Sequence, residues 1–102
     1  MAAVRKHEVE TTFINSWAEA GTYDLIVTTP ISASMRREGV DLLDVHHVLK
    51  TGRVTRSDML ESRGLWEVRG ETVDDVLLDV EIAVASATLE VELLEVLKVR
   101  RR

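Results

Sequence analysis

Cysteine is absent from this chain of 102 residues, which excludes disulfides, thiol catalysis and thiolate metal sites. Proline occurs once and glycine five times, too few for a disordered or linker-like chain. No apolar run approaches the ~18 residues of a membrane span, and the N-terminus shows no hydrophobic signal segment. The expectation is a soluble cytoplasmic protein with no membrane partner. Positive charge is also in deficit: 13 Lys and Arg stand against 18 Asp and Glu, a net charge of -5. That balance argues against a general nucleic-acid binder, which carries a basic field. What remains is an ordinary globular composition, 45% hydrophobic, of a length suited to one domain over residues 1–102.

The charge is uneven along the chain. Residues 1–70 hold nine cations and ten anions; residues 71–102 hold four and eight, and three of those four cations are the terminal Arg100, Arg101 and Arg102. Spacing divides the chain in the same way, into a mainly helical part over residues 1–52 and a sheet over 64–99. Residues 4–20 read as an amphipathic helix with Val9, Phe13, Ile14 and Trp17 on one stripe, closed by Gly21. Residues 23–27 are short and apolar and fit a strand or a linker equally. Thr29 and Pro30 suit the N-cap and first position of a short helix over residues 31–38 that stops at Gly39. Asp41 and Asp44 have capping-box spacing for a third helix, with Leu42, Val45 and Leu49 inward and Gly52 at its end. Residues 52–63 read as a loop or an edge strand around Val54.

From Leu65 onward the period is two. Trp66 and Val68 alternate with Glu67 and Arg69. Val76, Leu78, Val80, Ile82 and Val84 then occupy every second position of the longest strand, a pattern that no helix could bury together. Asp74 and Asp75 suit the connecting turn. In the last strand Leu89, Val91 and Leu93 alternate with Glu90 and Glu92 until Leu93 and Leu94 break the period. A β-bulge there would turn Leu94 and Val96 inward; without one, Leu97 and Val99 would lie inside beside a buried Glu95. The predicted fold is α+β: N-terminal helices packed on one face of a three- to four-stranded antiparallel sheet. Its core is Phe13, Ile14, Trp17, Met35, Leu42, Val45, Leu49, Trp66, Val68, Val80, Ile82, Val84 and Val91.

The succession "SWAEAGTYDL", "SMRREGVDLLDVHHVLKTGRV" and "GLWEVRGETVDDVLLDVEIAV" resembles the bacterial family known as domain of unknown function 4258. Met35, Gly39, Val40, Val45, Leu49, Gly52, Val54, Trp66, Val68 and Gly70 fall on its characteristic positions, and the likeness spans residues 16–99. The resemblance implies a fold similar to the RelE/ParE toxins, many of which cleave RNA by attack of a 2′-hydroxyl on the adjacent phosphate. That chemistry needs a base at the hydroxyl and cations on the phosphate. The chain departs from the pattern at those groups. Pro30 stands where the family usually has histidine, and Ser34 and Glu38 stand where it has arginines. The resemblance therefore implies an inactive copy or one that uses other groups.

The remaining candidates are few. His46 and His47 are adjacent and point about 100° apart on a helix, so they cannot share one metal ion; neither a metal nor a cofactor is expected. Arg36, Arg37, Arg53, Arg56 and Arg69 are the expected contacts for RNA on the helix–sheet rim and the open sheet face. Arg69 or Lys98 would be the phosphate-stabilising, catalytic cation of a metal-independent endoribonuclease. Asp79, Glu81, Glu90 and Glu92 mark the sheet as acidic and suggest a second reading, a non-catalytic protein-interaction module of the inhibitor or immunity type. An antitoxin-like or target protein would be its partner. The exposed edge of so short a meander also makes strand-paired homodimerisation an expectation.

Overall fold

A computed structural model describes residues 6–99. The predicted first turn at residues 4 and 5 and the basic tail at 100–102 lie outside the described residues. Those described form three helices and five strands: α1 Glu8–Ala20, β1 Asp24–Ile26, α2 Thr29–Glu38, α3 Leu42–Thr51, β2 Arg53–Leu60, β3 Arg63–Glu71, β4 Leu77–Ala85 and β5 Glu90–Lys98. The sheet order is β1-β5-β4-β3-β2. The α+β class stands, but the sheet is five-stranded and mixed rather than wholly antiparallel: β1 runs parallel to β5, and the other pairs are antiparallel. All three helices lie on one face, α1 against α3 and β2, α2 against β5, and α3 against β3. No described helix is long and apolar enough to cross a membrane.

The helices start and stop where local chemistry requires. Gly21 and Gly39 take left-handed conformations, φ 65° and 69°, and cap α1 and α2. Asp41 and Asp44 form the reciprocal capping box of α3, with hydrogen bonds of 2.9 and 3.1 Å. The α2 N-cap is Thr28, one residue earlier than predicted. One member of the predicted α1 stripe, Val9, and one of the predicted core, Leu42, are corrected. Val9 is 79% exposed, because it lies roughly 160° around α1 from the line of Ile14 and Ala18 that meets the core. Leu42 is 49% exposed, since the buried positions of α3 are Val45, Val48 and Leu49 and Leu42 falls roughly 70° off their centre. Phe13, Trp17 and Trp66 are half-buried and pack against the core rather than within it. Their rings meet at 4.4 Å (Phe13–Trp17) and edge-on at 6.1 Å (Phe13–Trp66).

On the sheet, Leu78, Val80, Ile82 and Val84 face the helices as predicted and are buried. Val68, Val80 and Val96 stand in one row, and Trp66, Ile82 and Leu93 in the next. Between those rows β5 holds one extra residue: Glu81 pairs with Glu95 but Ile82 pairs with Leu93, so Leu94 is the bulge. Val96 is thereby buried, while Leu94 itself is only half-buried. A second bulge, at Thr55, interrupts β2 between Val54 and Arg56. Where α3 ends, the chain passes backbone to backbone with β3. A Cβ on Gly52 would stand 2.5 Å from the Val48 carbonyl oxygen and 2.7 Å from that of Arg69.

Candidate functional site

Helices cover one face of the sheet and leave the other to solvent, so the charged positions of the strands build the open face row by row. One row runs Arg53, Arg69, Asp79, Leu97; the next runs Arg56, Glu67, Glu81, Glu95. In the third, Asp58 faces Leu65, then Ala83, Glu92 and Ile26. At the hairpin end Leu60 faces Arg63, and Ala85 faces Glu90 beside Asp24. Glu71 faces Leu77 at the other end. Among the described residues, nine carboxylates and four guanidiniums thus share the face.

Three of the four arginines are already committed to carboxylates. Arg69 donates both Nε and Nη2 to Asp79, at 2.7 and 2.8 Å, a fork-on-fork pair that fixes its orientation. Those hydrogen bonds, and then the Asp79 charge, raise the Arg69 pKa above its ordinary value. Arg56 donates to Glu81 at 3.1 Å and lies 3.6 Å from Glu67. Arg63 donates to Glu92 at 3.0 Å, reaching from β3 across β4 to β5, over the small side chains of Ala83 and Ala85. Among the described residues no ion pair engages Arg53, and none engages Glu95.

The cations expected to handle RNA are not brought together. Arg53, Arg56 and Arg69 are on the open face, as the alternation predicts for Arg69. Lys98 is not. It pairs with Leu78 across β4 and β5, on the helix side, and its Nζ lies 3.9 Å from where a Cβ of Gly39 would be. The cause is the bulge at Leu94: the extra residue that turns Val96 inward turns Lys98 to the same side. There its charge lies by the C-terminus of α2, where the helix dipole favours a cation. Arg36 and Arg37 occupy the last turn of α2 and are exposed in the helical layer. The sheet therefore stands between Arg69 and Lys98, and also between Arg69 and Arg36 and Arg37.

The histidines do not complete a catalytic group either. His46 Nδ1 lies 3.2 Å from the Tyr23 hydroxyl, with the two rings nearly parallel; burial raises the Tyr23 pKa. His7 lies 3.5 Å from Glu10. His47 shares a cleft of about 890 Å³ with Thr11, Asn15, Thr51, Arg53 and Arg69. Most of that lining is engaged in holding the fold. Thr11 Oγ1 accepts from the Val54 N–H at 2.9 Å, Asn15 donates to the Leu49 and Gly52 carbonyls, and Thr51 donates to that of His47. Among the described residues no group of three or more His, Asp or Glu side chains is placed to hold a metal ion.

The acidic face read from the sequence left out Asp24, Asp58, Glu67, Glu71 and Glu95, of which Glu67 and Glu95 matter most. Asp79, Glu81, Glu90 and Glu92, named from the sequence, lie in four different rows, whereas Glu67, Glu81 and Glu95 stand side by side. The signal was present in the alternation of β3 and in the bulge, which sets the parity of residue 95. Comparisons with protein-family models, curated proteins and solved structures find no match.

Proposed function

We propose that this chain is a non-catalytic protein-binding module, a degenerate relative of the RelE/ParE-type toxins, that receives a basic protein surface on its open acidic sheet face. The observation that carries this reading is the row Arg56, Glu67, Glu81, Glu95. Like charges directly opposite one another destabilise a sheet by a few tenths of a kcal/mol per pair, and this row contains two such pairs. Arg56 offsets them from one end only. Lysines or arginines of a partner laid over Glu81 and Glu95 would relieve the repulsion, and the surrounding carboxylate excess would steer that partner in.

Kinship to the domain of unknown function 4258 family belongs to the same proposal. Buried Met35, Val45, Leu49, Val54 and Val68 and the close approach at Gly52 and Gly70 support a shared framework. They do not carry chemistry. An RNA-cleaving reading is less well supported, because Arg69 is held by Asp79 and Lys98 is on the other side of the sheet. Expressed alone, the protein is expected neither to slow growth nor to degrade RNA. It is expected to bind a lysine- and arginine-rich peptide with an affinity that falls as salt rises. RNA degradation that Arg69→Ala abolishes in a folded protein would overturn the proposal and restore the toxin reading.

A further inference from the structure

The sheet ends in two unequal edges. β1 presents three residues, but β2 presents eight, and among the described residues no strand covers its outer side. Past Val54, whose N–H donates to Thr11 Oγ1, that edge offers a row of unpaired backbone N–H and C=O groups to any strand of suitable charge. Edges usually deter their own copies with charge of one sign. β2 instead carries arginine in its first half, at Arg53 and Arg56, and acid in its second, at Asp58, with Glu61 just beyond.

We propose that a second copy of this chain docks on β2, antiparallel and about a two-fold axis through Ser57, to form one continuous ten-stranded sheet. An antiparallel two-fold pairing is isologous, so each contact occurs twice. With Ser57 opposite itself, Arg56 meets Asp58 of the partner subunit, and Asp58 meets Arg56 of the partner subunit. Both residues are on the open face, because their β3 neighbours Glu67 and Leu65 are. Among the described residues Asp58 has no ion pair within the chain, and Arg56 keeps 59% of its side chain exposed despite its own pairs. Apolar surface lies at the same edge. Met59 and Leu60 are 71% and 56% exposed, and, counted past the bulge at Thr55, the register lays them against the partner's Val54 and the partner's Arg53. Strand pairing alone buries an area at the low end for stable complexes, so the dimer is concentration-dependent.

Analytical ultracentrifugation of the full chain tests this, together with two charge reversals and their mixture. The wild-type mass is expected to rise from 11.5 kDa toward twice that value between micromolar and about millimolar concentration. Arg56→Glu and Asp58→Arg should each remain monomeric, since each sets like charges against one another across the axis. Mixing the two variants in equal amounts should restore dimers, because both contacts between positions 56 and 58 in the mixed pair then join opposite charges. Circular dichroism checks that both variants fold; Asp58→Arg removes no contact within the chain. A wild-type protein monomeric throughout, single reversals that still dimerise, or a mixture that stays monomeric would each overturn the proposal.

Discussion

At the residue scale the most measurable consequence lies at Tyr23, the only tyrosine in the chain, so ultraviolet absorbance reports its ionisation alone. Burial disfavours the phenolate and raises the pKa above its ordinary value of 10.0. The folded state then holds the phenolic proton to higher pH than the unfolded chain does. Its stabilising effect is complete below about pH 10 and is lost as pH rises through that value toward the folded pKa. The expected outcome is an absorbance midpoint above 10, with a thermal transition that falls more steeply above pH 10 than it does in Tyr23→Phe. A midpoint at or below 10 would contradict the burial. A second residue-scale prediction concerns Ile82, wholly buried at the centre of β4. Ile82→Asp forces an unpaired carboxylate into the core and should abolish soluble folding, seen as loss of soluble protein on expression. Sequence parity placed Ile82 inward and Arg69 outward correctly, because a strand alternates without exception between bulges. Lys98 lies beyond such a bulge and so shares the helix side with Leu78.

Elements differ in how much of them local chemistry determines. Capping made α2 and α3 legible: Gly39, Asp41 and Asp44 each satisfy backbone groups that only a helix end exposes. β1 was left undecided because three residues cannot display a period. β2 was hidden by its own bulge at Thr55, which breaks the alternation of Arg53, Val54 and Arg56. Gly52 shows a constraint that the helical pattern marked only as a stop. Its φ is -81°, so no left-handed conformation calls for glycine there. The need is space, since α3 and β3 touch through backbone at that point. Gly52→Ala should cost about 1–3 kcal/mol in urea unfolding, whereas a stability unchanged within error would mean that the two backbones can separate freely.

For the molecule as a whole, the uneven charge of the sequence becomes a two-sided protein. The sheet carries most of its acids on the open face, and Lys98, Arg36 and Arg37 are left with the helices. The acidic balance of the second half was readable from composition. The Glu67, Glu81, Glu95 row was not, because it depends on the register of three strands and on one extra residue in β5. A whole-molecule account in which the open face is the working surface makes a direct claim about which charges matter. Isothermal titration of a lysine- and arginine-rich peptide into the wild-type protein, the double variant Glu81→Lys with Glu95→Lys, and the control Arg36→Glu with Arg37→Glu tests that claim. The account predicts that the double variant loses at least about tenfold in affinity while the control binds no more weakly than the wild type. Equal affinity in the wild type and the double variant would contradict it.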